Sequence, residues 1–251
     1  MLKVNRLSKT FGGVKAVQDV SFAVRAGTIH AVIGPNGAGK TTLFNLITGV
    51  YTPSDGEIVF DGAAAAGTSP DQLARRGMSR TFQNLQVCMN MSAIENVMVG
   101  AHLQLDTGLL AGMLRLPRLG NADRACRAEA QRLMEFVGVG KYRDTHASQM
   151  PYGALKRLEI ARALAARPKL LLLDEPAAGL NHTETGEIEA LIRKVADSGV
   201  TVVLVEHDMK LVMNLSDHIL VLDYGRKLAE GTAAEVRANP DVVAAYLGAS
   251  A

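Results

Sequence analysis

The sequence predicts an α/β fold built on a parallel sheet, and three stretches carry that expectation. The first is an apolar run from Ile29 to Ile33 that ends in a glycine-rich turn, Gly34 to Thr42, and passes into the helical spacing of Leu43, Leu46, Ile47 and Val50. The second is Leu170 to Leu173, four leucines ending in Asp174-Glu175. A run of that kind suits a strand covered on both faces. The third, Thr201 to Val205, leads into Glu206-His207-Asp208.

The glycine turn reads Gly34-Pro35-Asn36-Gly37-Ala38-Gly39-Lys40-Thr41-Thr42. Gly34, Gly39, Lys40 and Thr41 occupy the fixed positions of G-x-x-x-x-G-K-[ST]. Glycines let the backbone wrap a polyphosphate, so that successive N–H groups and the following helix N-terminus face negative charge. Lys40 is placed to reach the β- and γ-phosphates and the Thr41 hydroxyl to ligate Mg²⁺. Carboxylates at the C-terminal end of a buried strand stand where open α/β sheets bind ligands. Asp174 therefore suits the Mg²⁺ shell, and Glu175 suits orienting or deprotonating a water aimed at the γ-phosphate. His207 ends the next buried strand, and sheet geometry brings it to the same edge, as a γ-phosphate contact.

A chain of 251 residues can bury one large core, with or without a satellite subdomain. Its 48% hydrophobic and 21% charged residues are ordinary for a globular protein. A net charge of +2 is too small to imply nucleic acid. Cys88 and Cys126 have neither metal-ligand spacing nor a CxxC partner, and read as reduced, buried thiols. No apolar run approaches a membrane span and the first residues lack a signal-peptide core, so the expectation is a chain that neither crosses a membrane nor is secreted.

Along the chain, Leu2 and Val4 alternate with Lys3 and Asn5, and Val20, Phe22 and Val24 alternate with Ser21 and Ala23, which predicts strands before the glycine turn. Phe11 lies in a turn beside Gly12 and Gly13, either at a core edge or as a platform for a nucleobase. Thr52 to Gly56 forms a turn into a strand over Ile58 to Phe60. Ala63 to Ser69 reads as a small, flexible connection to a helix over Pro70 to Gly77. Gln83 follows, then Met89, Met91 and Met98.

From about Gly100 to Ser148 the texture becomes helical, with Leu109, Leu110, Met113 and Leu114 at helical spacing, a break at Pro117, and a new helix capped by Asn121 or Asp123. The predicted organisation is one domain, with residues 1–84 and 165–251 as the α/β core and about 85–164 as an inserted helical subdomain. After Asp174-Glu175, Ile188, Leu191, Ile192 and Val195 share a helix face. Tyr224-Gly225-Arg226 turns between two strands, and Thr232 to Glu235 opens a short capped helix.

At this point the order of motifs becomes specific. Gly34–Thr42, Gln83, the run from Ser148 to Arg162, Leu170–Glu175 and His207 stand in the order of an ABC transporter ATPase, and the resemblance spans essentially the whole chain. The phrases FGGVKAV, TLFNLITG, RTFQN, RLEIARAL, LLLLDEPAAGLN, VEHDM and LDYGRKLAEGT are similar to the ATPase subunits of branched-chain amino acid importers. The segment Gly108–Leu119 resembles that branch as well. The resemblance implies a P-loop NTPase core of the ABC ATPase type, with an N-terminal antiparallel β subdomain and an inserted α-helical subdomain.

It further implies Phe11 as the adenine-stacking aromatic, Gln83 as the residue that meets Mg²⁺ and couples the site to the membrane subunit, Glu175 as the catalytic base and His207 as the switch histidine. Met150 to Ala154, with Tyr152, Gly153 and Ala154 nearest the nucleotide, stands as the signature motif that contacts ATP held by the other protomer. The implied partners are a second ABC ATPase subunit in a homodimer or heterodimer, integral membrane permease subunits, and indirectly a solute-binding protein. The Met-rich stretch falls where the family docks a short helix of the permease. The implied location is cytoplasmic, peripheral on the cytoplasmic face of the inner membrane.

The signature here is Met-Pro-Tyr-Gly-Ala rather than the general Leu-Ser-Gly-Gly-Gln, and the loop after Glu175 ends in Asn181 where many relatives have Asp. Pro151 offers no N–H to phosphate. Proline is usual there in the branch resembled, whereas Ala154 replaces a polar residue. Transport of urea or short amides, or lipopolysaccharide export, remains the neighbouring alternative. An ABC ATPase acting on nucleic acid is the more distant one, since neither long heptad arms nor a second glycine loop is present.

Overall fold

The computed structural model describes residues 1–102 and 117–247. The chain forms two compact units, Met1–Arg80 with Lys169–Ala251 and Thr81–Pro168. The expected helical residues Leu109, Leu110, Met113 and Leu114 lie outside the described residues.

The first unit opens with β1 (Leu2–Phe11) and β2 (Val14–Val24). Leu2, Val4 and Leu7 are buried between exposed neighbours, the alternation of a sheet covered on one face. β1 pairs antiparallel with β2, for example Val4 with Phe22, and with β4 (Asp55–Phe60), where Leu2 faces Phe60. Ala63–Ala64, read as a flexible connection, instead adds β5 as a two-residue edge strand against Val59 and Phe60. The sheet order is β2-β1-β4-β5.

The second sheet of this unit holds the three apolar runs. β3 (Ile29–Ile33), β7 (Leu170–Asp174) and β8 (Thr201–Val205) are buried at every residue, as strands covered on both faces must be. With β6 (Met78–Arg80), β9 (His218–Asp223) and β10 (Arg226–Gly231) the order is β10-β9-β3-β8-β7-β6. All neighbours are parallel except β10, which returns antiparallel along β9 through the Tyr224-Gly225 turn. Val205 is paired with Val32 of β3 on one side and with Asp174 of β7 on the other. That row levels the ends of three strands, so the residues just beyond Val32, Asp174 and Val205 emerge at one edge.

The helices of this unit are α1 (Lys40–Ile47), α2 (Pro70–Arg75), α6 (His182–Asp197), α7 (Met209–Leu215), α8 (Ala233–Ala238) and α9 (Pro240–Leu247). Their starts are written in the sequence. Ser69 with Gln72, Asn181 with Glu184 and Thr232 with Glu235 form capping boxes, and Asp208 accepts from the backbone N–H groups of Lys210 and Leu211. Ile188, Leu191, Ile192 and Val195 of α6 are all buried. Val50 lies beyond α1 and is exposed, because the helix stops at Ile47.

The second unit contains α3 (Ala93–Gly100), α4 (Pro117–Phe136) and α5 (Tyr152–Ala165). The described part of α4 begins at Pro117, and the residues before it, whose pattern Pro117 was expected to break, lie outside the described residues. Asn121 and Asp123 consequently lie inside the helix rather than capping it. Ile94, Val97, Ala130, Met134 and Leu158 are buried in this unit. Cys126 is buried as expected, but Cys88 is only partly covered. No helix among the described residues is long and apolar enough to cross a membrane.

Candidate nucleotide site

The glycine loop follows β3 with backbone conformations that select its residues. Gly37 and Gly39 have φ of 81° and 96°, values that side chains resist. A Cβ on Gly39 would also lie 2.5 Å from the carbonyl oxygen of Ala16 in β2, so the antiparallel sheet abuts the loop there. The Gly225 N–H donates to the Ala38 carbonyl at 3.1 Å, which fixes the loop from the β9–β10 turn. α1 begins at Lys40 with Gly39 as its cap residue and no side-chain cap, so its first N–H groups have no side-chain acceptor at the cap.

Lys40 is 7% exposed, and its Nζ donates to the carbonyl oxygens of Gly34 at 2.7 Å and Pro35 at 2.9 Å. Burial lowers its pKa, while the charges of Glu175 and Asp174 oppose the shift. The ammonium is thus held at the loop by carbonyls and faces two carboxylates, a partly desolvated cation suited to phosphate. Thr41 is exposed in the first turn of α1 and Thr42 is half-buried.

Asp174, at the end of β7, is 5% exposed and accepts from the Arg80 guanidinium at 2.8 Å. Arg80 also donates to Asn45 Oδ1 at 2.6 Å and Thr48 Oγ1 at 3.2 Å, and its guanidinium lies 5.6 Å from the Phe44 ring centroid. Glu175 leaves the strand with φ of 49°, its N–H donating to the Val205 carbonyl at 3.0 Å. That left-handed residue turns its side chain toward β8, where Oε1 lies 2.5 Å from His207 Nε2. Glu206, 4% exposed, accepts from the N–H groups of Ala177 at 2.7 Å and His207 at 3.1 Å, and burial raises its pKa. It ties the loop after Glu175 to the end of β8.

Within the first unit, then, Gly34–Thr42, Asp174, Glu175 and His207 gather at one sheet edge. Phe11 closes β1 and is 41% exposed, with Tyr51 edge-on at 5.3 Å and Lys9 Nζ 5.0 Å from its ring. Gln83, Tyr152, Gly153 and Ala154 belong to the second unit. Gln83 is exposed in a segment without regular structure, Tyr152 is 45% exposed at the start of α5, and Gly153 and Ala154 are buried.

Arg80, Glu206 and Tyr246 had no signal in the sequence. Tyr246 lies on α9, hydrogen-bonds the Gly34 backbone, and has its pKa pushed up to about 12 by burial. Each has a partner remote in sequence, Asp174 for Arg80, Ala177 for Glu206 and Gly34 for Tyr246.

A glycine loop after a central parallel strand, with a carboxylate pair and a histidine along the same edge, defines a nucleoside-triphosphate site. The chain belongs to the ABC transporter family, whose description matches residues 17–178, and is an ATP-binding, ATP-hydrolysing cassette. Residues 226–251 match a second family, the branched-chain amino acid ATP-binding cassette transporters. Among curated proteins, the high-affinity branched-chain amino acid transport ATP-binding protein BraF of Pseudomonas aeruginosa is 45% identical over 249 residues, covering 99% of this chain and 98% of the relative. The corresponding protein LivG of Escherichia coli is 44% identical over 249 residues, with 99% and 98% covered. Among solved structures, a nucleotide-free ATP-binding cassette from an ABC transporter superposes with a TM-score of 0.85 at 30% identity, covering 98% of each chain. The ADP conformation of an ATP-binding cassette matches with a TM-score of 0.85 at 30% identity, over 99% of this chain and 98% of the other.

Proposed function

We propose that this chain hydrolyses ATP to power uptake of branched-chain amino acids through integral membrane permease subunits, lying peripherally on the cytoplasmic face of the inner membrane. The observation that supports this best is the gathering of Lys40, Asp174, Glu175 and His207 at one sheet edge, in a chain 45% identical to BraF over nearly its whole length.

In this reading the loop amides of Gly34–Thr42 and the N-terminus of α1 hold the β- and γ-phosphates, Lys40 neutralises their charge, and Phe11 stacks on adenine. Glu175 takes the proton of the attacking water as the water's oxygen bonds to the γ-phosphorus and the β–γ bridging oxygen departs with ADP. His207 positions Glu175 through its Nε2 contact and addresses the γ-phosphate. Gln83 is read as the residue that meets Mg²⁺ and couples hydrolysis to the membrane subunit, and Tyr152, Gly153 and Ala154 address the nucleotide of a second cassette.

Among the described residues no group of three or more His, Cys, Asp or Glu side chains could hold a metal ion. The oxygen donors of the first unit, Thr41 and Asp174, fit Mg²⁺ bound mainly through substrate phosphates, with Gln83 read as a further donor. Bound there, Mg²⁺ would offset developing negative charge on the phosphate oxygens. The cassette would pair with a second ATPase subunit, and a solute-binding protein would deliver substrate to the permease.

The test is uptake by proteoliposomes holding the complex that co-purifies with this chain. ATP-dependent accumulation of labelled leucine, isoleucine or valine is expected. Accumulation of urea without any of these would overturn the substrate, and ATP hydrolysis with no solute movement would overturn the transport role.

A further inference from the structure

Gly34 stands one residue beyond the last ladder pair of β3, Ile33 with Val221, where the chain leaves the sheet for the glycine loop. A Cβ there would lie 2.1 Å from the Leu222 carbonyl oxygen of β9 and 3.0 Å from the Ala38 Cβ, so β9 closes one side of it. Its carbonyl oxygen accepts from Lys40 Nζ at 2.7 Å. Its backbone also hydrogen-bonds the Tyr246 phenol, and that bond works to lower the phenol's pKa. An N–H donating to Oη has that effect, whereas a phenol donating to a carbonyl would raise the pKa. The Gly34 N–H is therefore the donor. Tyr246 reaches it from α9, whose start and inward face follow from local sequence. Asn239 Oδ1 accepts from the N–H groups of Asp241 at 2.9 Å and Val242 at 3.4 Å, and Pro240 takes the first helical position. Val242 and Tyr246 are four residues apart and share a face. Val242 is buried, Tyr246 half-buried, and Val243, a step round the helix, exposed. All of these residues belong to the first unit. One glycine thus carries the terminal helix on its N–H and the candidate phosphate lysine on its carbonyl.

We propose that Tyr246 is a positioning residue for the phosphate loop, its hydroxyl fixing Gly34 so that docked α9 sets where the loop starts and where Lys40 stands. This rests on the reading of Gly34–Thr42 as the loop that holds ATP. When Lys40 turns from the Gly34 and Pro35 carbonyls to a phosphate, the bond to Tyr246 still holds Gly34 in place. Burial pushes the phenol's pKa up to about 12, so the hydroxyl keeps its proton at physiological pH and the anchor is no pH switch. The anchor acts on the shape of the loop, and the same loop amides hold the phosphates before and during hydrolysis. Its loss therefore weakens substrate and transition state alike, which raises KM and leaves kcat nearly unchanged. Linkage also requires the reverse effect, that nucleotide on the loop stabilises the docking of α9.

The experiment uses the full chain as wild type, Tyr246→Phe and Lys40→Ala, with steady-state ATP hydrolysis and residue-resolved amide hydrogen exchange. Tyr246→Phe keeps the ring and removes only the hydroxyl. It is expected to speed exchange at the Gly34 amide by about tenfold or more. It should also raise KM for MgATP by about threefold or more, with kcat within about twofold of wild type. Saturating ADP should slow exchange along α9 in wild type by about threefold or more, and by less in Tyr246→Phe. Unchanged exchange at Gly34 overturns the anchor. Faster exchange there with unchanged KM, whatever happens to Tm, reduces Tyr246 to a packing residue and overturns the positioning role. Equal slowing by ADP in both proteins does the same. Lys40→Ala tests the underlying reading separately: if it leaves ATP affinity unmoved, the loop assignment fails, and Gly34 exchange alone decides whether the anchor exists. Should Tyr246→Phe lose protection throughout, the wild-type comparison decides, and exchange along α9 unmoved by ADP contradicts the proposal.

Discussion

Arg80 and Asp174 form a 2.8 Å ion pair whose side chains are only 8% and 7% exposed, and the same guanidinium reaches Asn45 and Thr48 of the helix that follows the glycine loop. One arginine therefore ties the strand bearing a candidate metal ligand to the helix bearing the candidate phosphate lysine. Removing it leaves Asp174 buried without that partner. Arg80→Ala is expected to cost about 3 kcal/mol, lowering Tm by roughly 6–12 °C. Arg80→Lys should fall between, since one ammonium cannot match the planar fork. Thermal unfolding checks this, and a shift under about 2 °C would contradict it.

His30 predicts a pH dependence of stability. It is 1% exposed on β3, packed near the Phe22 ring at 5.6 Å and the His218 ring at 5.2 Å, and its Nε2 has no hydrogen-bond partner. Burial, reinforced by the nearby His218, lowers its pKa to about 4, while the Glu230 carboxylate acts in the opposite sense. Between an unfolded value of about 6.5 and that folded value the unfolded chain binds a proton the folded chain refuses, so stability falls as pH drops through that window. The loss is of the order of 3 kcal/mol by pH 4. Urea unfolding of wild type and His30→Gln from pH 7.5 to 4 should show a shallower acid limb in the variant. Parallel limbs would remove His30 from the account.

The two inner glycines of the loop should tolerate substitution very differently. A Cβ on Gly37 meets nothing within 4 Å, and its φ of 81° is the only obstacle, a strain of about 1–2 kcal/mol. At Gly39 the Cβ would lie 2.5 Å from the Ala16 carbonyl oxygen, so backbone must shift. Gly37→Ala is expected to keep ATP affinity within about tenfold of wild type and Gly39→Ala to lose at least about a hundredfold. Equal losses measured by nucleotide titration would show that the contact with β2 is not what restricts the loop.

Much of this was legible in the sequence because the elements at the site obey local rules. Apolar runs of four or five residues are what strands buried on both faces look like, and the loop, Asp174, Glu175 and His207 each begin within two residues of the end of one. The capping boxes likewise need only a few adjacent residues. What escaped depended on partners far along the chain. His30 lies inside a run that read as apolar, and only the neighbouring strand shows it stacked near His218. Arg80 has no meaning until β6 pairs with β7. The charges of α5 show no partner in the sequence, yet Lys156 and Glu159 are buried, bonded to backbone groups of an irregular segment.

The central claim is that Glu175 removes the proton of the attacking water, and Glu175→Gln tests it most directly. The amide keeps the shape and can still hold water near His207, but it cannot accept a proton. The measurement is single-turnover hydrolysis of radiolabelled ATP by the purified variant, with the oligomeric state followed on the same samples. The account predicts ATP affinity near that of wild type, hydrolysis slowed by about a hundredfold or more, and an ATP-bound dimer that persists. Hydrolysis within about threefold of wild type would contradict it and move the base elsewhere in the site.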